Sequence, residues 1–322
     1  MNIFITGGEG YVGSSLVPFL LDQGHKVFSY DTNYFGYRNP DHKNYKSYTG
    51  DIRNFNTLVS CMKGSDVVIH LASLSNDISC ELNPELAKEI NKDAIYNIIE
   101  ACNTNDVDRL LVASSTSQYG AKSLDIDVTE DVKAEPLTDY ARYKIEAEQM
   151  IRNSNLSSCY TFIRPGTICG YSPRMRFDLM INAMTINMLV RSKCKVFGGE
   201  QLRPVINMKD MVEFYTLLCS EEESLINKQA FNVATDNYTA MEAAVIIKDE
   251  LNGEIEVEEV SDDGRSYHIN TQKAKDVLGF NTSYNIRDAV RSIKEAYDNR
   301  SFIDPLTNSQ YYNIKRMKQI YE

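Results

Sequence analysis

The stretch Thr6-Gly7-Gly8-Glu9-Gly10-Tyr11-Val12-Gly13 follows an apolar run at the start of the chain, and a helical pattern begins at its end. Gly7, Gly10 and Gly13 permit, in turn, a tight backbone turn, a close approach of backbone N–H groups to a diphosphate, and close packing of helix on strand. The N-terminus of the following helix favours negative charge at the same place. Because glycine-rich turns also occur without a ligand, this stretch predicts a dinucleotide-binding turn only together with its surroundings.

The end of the second apolar run supplies the first supporting residue. Asp31 closes the strand-like segment Lys26–Asp31, about 20 residues beyond the glycines, where a carboxylate accepts hydrogen bonds from the adenosine ribose. The same carboxylate repels the 2′-phosphate of NADP, so Asp31 favours NAD. Arg38 lies a few residues further on and is able to soften this preference.

Short β-rich runs alternate with helical patterns as far as Arg164, which is typical of parallel βαβ units. The predicted strands are Asn2–Thr6, Lys26–Asp31, Asp66–Leu71, Arg109–Ser115 and Tyr160–Arg164, and the predicted helices are Val12–Gln23, Pro84–Asn103 and Thr138–Asn153. The expected fold class is therefore α/β, with a Rossmann-type doubly wound parallel sheet over residues 1–166.

The pattern becomes less regular after Pro165. Short strands are expected near Lys195–Phe197, Val205–Met208 and Ala230–Val233, and helices at Asp210–Ser220, Thr239–Asn252, Thr271–Leu278 and Ile286–Asn299. These elements predict a smaller mixed α/β C-terminal lobe over residues 167–322, within which the chain is free to cross back to the sheet. The tail from Ser301 to Glu322 shows little pattern, and its role is left open.

Composition narrows the classes of partner. The 322 residues carry 34 Lys and Arg against 45 Asp and Glu, and the net charge of −11 argues against a nucleic-acid partner. With 43% hydrophobic residues, no leader-like segment and no apolar stretch long enough to cross a bilayer, a cytoplasmic globular protein without a membrane partner is expected. The seven cysteines and four histidines lack ligand spacing, so neither a metal site nor a disulfide framework is expected.

A tyrosine and a lysine share one face of the helix predicted over Thr138–Asn153. Tyr140 and Lys144 are four residues apart, so their side chains lie on the same side of that helix. A free tyrosine has a pKa of about 10, and a neighbouring ammonium favours the phenolate, which suits Tyr140 to act as a general base. Taken alone, such a spacing is more often an ordinary exposed pair, and its place after the other motifs gives it weight.

Further motifs stand in a fixed order around this pair. Gly50-Asp51-Ile52-Arg53 follows the third strand, His70-Leu71-Ala72-Ser73 ends the fourth, Val112 to Gly120 covers the end of the next, Asn91 lies in a long helix, and Arg164-Pro165-Gly166-Thr167 ends the sixth strand. With these motifs the chain resembles the extended short-chain dehydrogenase/reductase family, and within it the nucleotide-sugar epimerases and dehydratases, over nearly its whole length.

The resemblance implies an NAD site. Asp51 and Ile52 are expected to flank the adenine, Leu71 to Ser73 to line the pyrophosphate, and Tyr140 and Lys144 to contact the nicotinamide ribose. The residues implied for the cofactor are Gly7, Gly10, Tyr11, Val12, Gly13, Asp31, Thr32, Asn33, Asp51, Ile52, Leu71, Ala72, Ser73, Asn91, Ala113, Ser114, Tyr140, Lys144, Pro165 and Gly166.

The resemblance also implies three catalytic residues, Ser115, Tyr140 and Lys144. Ser115, four residues before Tyr119, matches the family's catalytic serine or threonine. Its hydroxyl can donate to the sugar oxygen while Tyr140 removes the hydroxyl proton and hydride leaves the carbon for NAD. The alternative for Ser115 is a strand-end hydroxyl that caps the next turn.

The expected substrate is a nucleotide-diphosphate sugar. Arg203 and Arg265 resemble the family's two phosphate arginines, whereas Arg174 and Arg176 are equally suited to clamp a diphosphate and to be solvated or interface arginines. Asn182 lies where a helix covering the nucleotide often begins, with plain capping as the alternative. The full set is Ser75, Ser115, Thr116, Thr167, Arg174, Arg176, Asn182, Arg203 and Arg265.

Departures from the family pattern narrow the reaction. The two positions that carry an acid/base carboxylate pair in the 4,6-dehydratases are Thr116 and Ser117 here, which disfavours dehydration. Thr167 replaces the family's asparagine, and the stretch from Gly170 to Asp178 replaces its usual glycine-proline pair, so an atypical sugar pocket is expected.

Three functions from different classes follow. The leading prediction is an NAD-dependent nucleotide-sugar epimerase that keeps its cofactor; the alternatives are a dehydrogenase or keto-reductase with exchanging NAD(H), and a non-catalytic dinucleotide sensor. The resemblance implies a homodimer formed by Thr138–Asn153 and Pro84–Asn103.

Cys80 and Cys169 belong to segments that match substrate-facing loops, but buried packing is the favoured interpretation for both.

Overall fold

The computed structural model describes residues 1–259 and 266–321. Its strands are β1 (Asn2–Thr6), β2 (Lys26–Asp31), β3 (Tyr45–Thr49), β4 (Val67–His70), β5 (Arg109–Ala113), β6 (Cys159–Pro165), β7 (Thr167–Cys169), β8 (Lys193–Phe197), β9 (Leu202–Asn207), β10 (Gln229–Val233), β11 (Asp236–Thr239) and β12 (Glu254–Glu258). Its helices are α1 (Gly13–Asp22), α2 (Phe55–Met62), α3 (Asp77–Leu82), α4 (Pro84–Lys88), α5 (Ile95–Thr104), α6 (Asp139–Arg152), α7 (Met180–Arg191), α8 (Met208–Ser220), α9 (Glu223–Ile226), α10 (Ala240–Leu251), α11 (Gln272–Leu278), α12 (Ile286–Asp298) and α13 (Asn313–Tyr321).

A seven-stranded sheet in the order β10-β6-β5-β4-β1-β2-β3 forms the centre of the protein, and every neighbouring pair in it is parallel. Alternate residues of β1 bury on opposite faces: Ile3 and Ile5 join a cluster with α1 and α8, and Phe4 joins one with α2, α5 and α6. The winding reverses between β1 and β4, which opens a crevice at the carboxyl ends of the strands. The predicted Rossmann-type doubly wound sheet is confirmed.

The main sheet also takes a strand from the second half of the chain. β10, predicted over Ala230–Val233 among the elements of the smaller lobe, pairs with β6 and places Phe231 opposite Ile163. Four of its five residues are buried, so it needs cover on both faces, which the main sheet and its helices provide. The chain therefore crosses back to the sheet, while the predicted boundary at residue 166 stays a prediction.

The smaller lobe contains two short sheets, β11-β9-β7 and β12-β8, packed with α7, α10 and α12. Ile181 and Met188 of α7, Ile247 of α10 and Val290 of α12 belong to its separate buried cluster. This lobe stands beside the carboxyl ends of β5 and β6 through β7, which continues the chain directly from β6.

One predicted helix is wrong as a single element. The segment Pro84–Asn103 divides into α4, a π-helical turn over Glu89–Asp93, and α5. Asn91 lies in that turn. Its side-chain Oδ1 accepts from the backbone nitrogen of Leu74 at 2.8 Å, and its Nδ2 donates to the carbonyl oxygen of Leu74 at 3.0 Å. A π-turn shifts the following residues around the helix axis, and here it accompanies the attachment of this helix to the segment after β4.

Candidate active site and cofactor cavity

A cavity of about 360 Å³ opens at the carboxyl ends of the central strands. The glycine turn and the ends of β2 and β4 form one side of it, and the end of β5 with the start of α6 forms the other. All the predicted catalytic, cofactor and substrate residues line it except Asn33, Asn91, Asn182 and Arg203, together with Arg265, which lies outside the described residues.

The glycine turn brings backbone where a side chain would not fit. Gly7 has φ +76°, and a Cβ on it would lie 2.7 Å from the backbone nitrogen of Ala72. A Cβ on Gly13 would lie 2.5 Å from the carbonyl oxygen of Gly7, whereas one on Gly10 would meet only that oxygen, at 3.1 Å, within 4 Å. The turn thus packs tightly on the sheet and leaves its backbone open to the cavity, which fits the diphosphate of a dinucleotide at the N-terminus of α1.

Asp31 is held at the cavity wall by two backbone N–H groups. Its Oδ2 accepts from the nitrogen of Glu9 at 3.0 Å and its Oδ1 from that of Asn33 at 2.7 Å. Burial raises the pKa of Asp31, and these two bonds oppose the rise. Asn33, with φ +58°, orients the carboxylate from behind. Arg38 donates to Thr49 and does not line the cavity, so it leaves the preference for NAD in place.

A buried carboxylate behind the glycine turn was not anticipated. Glu9 is 3% exposed and accepts from the backbone and side-chain nitrogens of Asn39 at 2.6 Å and 2.9 Å, from Tyr45 Oη at 2.5 Å and from Ser47 Oγ at 2.9 Å. These bonds tie the turn to β3 and to the loop before it. The signal in the sequence is the charged residue itself, which stands inside the glycine motif.

The three predicted catalytic residues meet at the cavity. The side chain of Thr138 caps α6 by accepting from the nitrogen of Ala141, which starts the helix just before Tyr140. One turn later, Lys144 Nζ donates to the carbonyl oxygen of Ala113 at 2.8 Å and lies 5.6 Å from the centroid of the Tyr140 ring. Ser115 follows β5, and its Oγ lies 2.9 Å from Ser117 Oγ and accepts from the Ser117 nitrogen, so it both caps the next turn and faces the cavity.

Burial shifts the pKa values of both Tyr140 and Lys144. Burial lowers the pKa of Lys144 to about 8, because a charged ammonium is costly away from water. Burial also raises the pKa of Tyr140, while a hydrogen bond with Ser115 lowers it to a smaller extent. For the protein groups alone, loss of hydration sets the direction of the Tyr140 pKa shift, so the lowering expected from a neighbouring ammonium stays a prediction.

Asn91 and Asn182 lie behind the cavity wall. Asn91 holds the segment after β4 through Ser73 and Leu74, with its Oδ1 at 3.1 Å from Ser73 Oγ. Asn182 is fully buried in α7; its Oδ1 accepts from the Gly170 nitrogen and its Nδ2 donates to Tyr11 Oη and to the carbonyl oxygen of Arg176. Both amides position backbone and side chains that line the cavity, because all their polar atoms already have protein partners.

The arginines expected at phosphates separate into different environments. Arg176 is bound to Asp178 at 3.0 Å and 3.1 Å and to Ser75 Oγ at 3.1 Å. Arg203 donates to the carbonyl oxygen of Leu202 and stacks on Tyr267, whose ring lines the cavity. Arg174 covers the ring of Phe35 at 3.7 Å. Each charge therefore stands at or just behind the wall.

The wall opposite the glycine turn carries hydroxyls where the dehydratases have carboxylates. Thr116 Oγ1 donates to the carbonyl oxygen of Pro165 at 2.9 Å and is buried. An acidic residue lines the cavity elsewhere: Asp77, at the start of α3, accepts from Thr138 Oγ1 at 2.6 Å. Neither Asp77 nor its neighbour Asn76 was predicted, since nothing in their local pattern marks them as facing the site.

A buried ion pair supports the catalytic wall from below. Arg164 of β6 donates to Glu148 of α6 at 2.9 Å and 2.6 Å, and Ser114 Oγ adds a third donor at 2.5 Å. Arg164 also donates to Tyr119 Oη, which donates to Asn232 of β10. The network joins β6, α6 and β10 to the segment that follows β5 and carries Ser115.

The cysteines and the remaining polar clusters add no chemistry to the site. Cys80 and Cys169 are buried and do not line the cavity, which confirms packing as their role, and burial raises the pKa of Cys80 to about 12. Among residues 1–259 and 266–321, no three or more His, Cys, Asp or Glu side chains form a metal-binding group. Within the same ranges, no helix is both long and apolar enough to span a bilayer.

Comparison with known proteins agrees with this geometry. The sequence profile of the NAD dependent epimerase/dehydratase family matches residues 3–234, which is more than two thirds of the chain. The chain belongs to the NAD-dependent epimerase/dehydratase family. Membership confirms the resemblance to the nucleotide-sugar group of the extended short-chain dehydrogenases/reductases and confirms NAD as the cofactor of this family member.

Individual relatives of this epimerase/dehydratase family member are distant. The uncharacterized UDP-glucose epimerase YtcB of Bacillus subtilis is 25% identical over 90% of this chain and 96% of its own. UDP-glucose 4-epimerase of Lactobacillus helveticus is 23% identical over 73% of this chain and 77% of its own. The solved structure of MoeE5 in complex with UDP-glucuronic acid and NAD is 26% identical, with a TM-score of 0.83, and covers 94% of this chain and 100% of its own.

Proposed function

We propose that the chain is an NAD-dependent nucleotide-sugar epimerase that transiently oxidises a sugar hydroxyl, with Tyr140 as the base. The observation that carries this proposal is that Ser115, Tyr140 and Lys144 line the same cavity as the glycine turn and Asp31. A dinucleotide sensor needs no such base and proton relay. The names of the relatives support a nucleotide-diphosphate sugar as the substrate class and UDP-glucose as the first compound to test.

Each catalytic side chain has a separate task. Tyr140 Oη takes the proton of the sugar hydroxyl, and Ser115 Oγ donates a hydrogen bond to the same oxygen. Lys144, fixed on the carbonyl oxygen of Ala113, keeps its ammonium 5.6 Å from the centroid of the phenol ring, where a cation favours the phenolate and opposes the effect of burial. NAD, which the glycine turn and Asp31 would hold, would supply the acceptor and the donor of hydride.

The hydroxyl-rich wall favours epimerisation over dehydration. Elimination of water needs a group to remove a proton and another to protonate the leaving hydroxyl. Thr116 and Ser117 occupy the positions where the dehydratases carry carboxylates, and Thr116 Oγ1 is already engaged by Pro165. Neither hydroxyl is a suitable acid or base near neutral pH, so return of the hydride to the other face of the sugar is the favoured outcome.

A dehydrogenase or keto-reductase with exchanging NAD(H) is the second candidate. The same three catalytic residues would serve that reaction, so cofactor turnover separates the two functions.

The first experiment identifies small molecules released when the purified protein is denatured, followed by incubation with UDP-glucose with and without added NAD. An epimerase is expected to release near-stoichiometric NAD and to form an epimeric UDP-sugar without added cofactor. Product formation in proportion to added NAD, with no epimer, would establish the dehydrogenase instead.

Tyr140→Phe tests the assigned base. It is expected to lower turnover by several orders of magnitude and to leave NAD bound, because only the phenol oxygen is lost. Tyr143→Phe is the matched control, since Tyr143 lies on the same helix and does not line the cavity. An unchanged rate in Tyr140→Phe, or an equal loss in the control, would contradict the mechanism.

We also propose a homodimer through α6 and the α4–α5 segment, as expected from the family resemblance. Light scattering of the purified protein tests it, and a monomer at micromolar concentration would exclude this assembly.

A further inference from the structure

Arg174 is a buried cation that the protein itself leaves partly unsatisfied. Its residue is 4% exposed, yet it lines the cavity. Nη2 donates to Asn313 Oδ1 at 2.5 Å, and the guanidinium stacks on Phe35 at 3.7 Å. Within the described residues, Nε has no hydrogen-bond partner and Arg174 forms no ion pair. An arginine in this condition is suited to receive an anion from outside the protein.

The electrostatics of Arg174 differ from those of its neighbour. Burial, and to a smaller extent the like charge of Arg176, lowers the pKa of Arg174 to about 9, while the charges of Asp178 and Asp31 oppose this shift. Arg176, by contrast, forms an ion pair with Asp178 at 3.0 Å. Burying a cation without a paired carboxylate is costly, so the position is explained more readily by a bound anion than by a contribution to folding.

The surroundings of Arg174 belong to the dinucleotide side of the cavity. Its backbone nitrogen donates to the side chain of Ser14, the second residue of α1, whose N-terminus follows the glycine turn. Asp31 is close enough to favour its charged form. Phe35, which it covers, lies in the loop after β2.

The C-terminal segment, residues 301–321, holds this arginine in place. Asn313, at the start of α13, receives Arg174 and donates through its own amide to Ser75 Oγ at 3.3 Å. Further along α13, Arg316 Nε donates to the carbonyl oxygen of Tyr34 at 2.6 Å, and Met317 is buried. α13 therefore bridges the loops that follow β2 and β4, on opposite sides of the glycine turn.

We propose that Arg174 binds the diphosphate of the dinucleotide, and that the C-terminal segment is a strap that presents it. This inference rests on NAD as the cofactor and reassigns Arg174 from the nucleotide sugar, for which the sequence suggested it. A guanidinium matches phosphate oxygens in geometry and charge, and Arg174 reaches the cavity wall without a carboxylate bound to it. The strap gives residues 301–321 a role in retaining the cofactor.

The test compares ligands that differ by their phosphates. Affinities of adenosine, ADP, NAD and UDP are measured by calorimetry for the full-length protein and for Arg174→Gln, each freed of any co-purified NAD before the titration. The variant is expected to bind ADP and NAD roughly 10- to 100-fold more weakly, as for loss of a hydrogen bond to a charged group, and to bind adenosine and UDP within about threefold of wild type. Arg174→Lys is expected to recover part of the loss, because the charge remains.

A matched control is Arg109→Gln, which alters an arginine held by the carbonyl oxygens of Leu218 and Glu221 at the start of β5, away from the cavity. It should leave all four affinities unchanged. If Arg174→Gln does not fold, Asn313→Asp is measured instead, because it places a carboxylate next to the guanidinium of Arg174. This variant is expected to bind ADP roughly tenfold more weakly and adenosine with unchanged affinity.

The outcomes are separable. If Arg174→Gln bound adenosine and ADP more weakly by the same factor, Arg174 would have only a structural role. If it bound only UDP more weakly, Arg174 would contact the nucleotide sugar. Either result would overturn the proposal. If wild type binds none of the adenine ligands, the cofactor assignment fails together with this inference. If ADP binding depends on Arg174 but no UDP-sugar is converted, the inference stands and only the proposed epimerase function fails.

Discussion

Replacing Arg164 with methionine is expected to lower the free energy of unfolding by about 3 to 5 kcal/mol, the cost of leaving one member of a buried ion pair without its partner. The side chains of Arg164 and Glu148 are 10% and 5% exposed, and the two hydrogen bonds between them measure 2.9 Å and 2.6 Å. Loss of two bonds to a carboxylate at about 1.5 to 3 kcal/mol each gives a similar figure. Ser114 and Gln118 still donate to Glu148, which argues against the upper end of the range.

Urea denaturation of the wild type and the variant measures this difference. Arg142→Met is the control, because the ion pair of Arg142 with Asp139 has side chains 49% and 45% exposed and should contribute within about 1 kcal/mol. The double variant Arg164→Met/Glu148→Met removes the isolated carboxylate as well and should recover a substantial part of the loss.

Two results would refute this reasoning. One is a loss in Arg164→Met no larger than that in Arg142→Met. The other is a double variant no more stable than Arg164→Met, which would mean that the isolated carboxylate of Glu148 is not the source of the cost.

Two further predictions concern pH. Burial and the charge of Lys144 lower the pKa of His70 to about 3; the unfolded chain then binds more protons below about pH 6.5, so stability is lost as pH falls, by about 2 kcal/mol between pH 7 and pH 5. Denaturation of His70→Gln should lack this loss, and equal slopes for both proteins would contradict the assignment. Burial lowers the pKa of Lys144 to about 8, so the unfolded chain again binds more protons up to about pH 10.5, and wild type should gain about 2 to 3 kcal/mol relative to Lys144→Met between pH 7 and pH 10. If the difference in free energy of unfolding between these two proteins did not change with pH, the pKa of Lys144 would not be lowered in the folded state.

Local patterns predicted the cavity better than they predicted its individual contacts. Gly7, Asp31 and Tyr140 stand at strand ends or at a helix start, and the parallel topology brings such positions to one edge of the sheet. Asn91 and Asn182 differ from these residues, because their side-chain amides are already hydrogen-bonded to protein groups distant in sequence. No spacing rule distinguishes an amide that contacts a ligand from one that positions the wall behind it.

The strap illustrates a second limit. Residues 301–321 contain short polar turns and one helix of nine residues, and few of their side chains are buried. The contacts that place this segment, from Asn313 to Arg174 and from Arg316 to Tyr34, join residues more than 130 positions apart. The hydrophobic periodicity of this segment therefore does not predict these contacts.

The sequence by itself determined the sheet, its glycine turn, the preference for NAD and the spacing of Tyr140 and Lys144, because these depend on short-range rules: apolar runs, glycine conformations and helical periodicity. Only the tertiary structure decided the return of β10 to the sheet, the balance of burial and charge that raises the pKa of Tyr140, and the contact of Asn313 with Arg174 at the cavity wall. Burial and electrostatics sum over groups that are close in space and distant in sequence, so these properties exist only once the chain has packed.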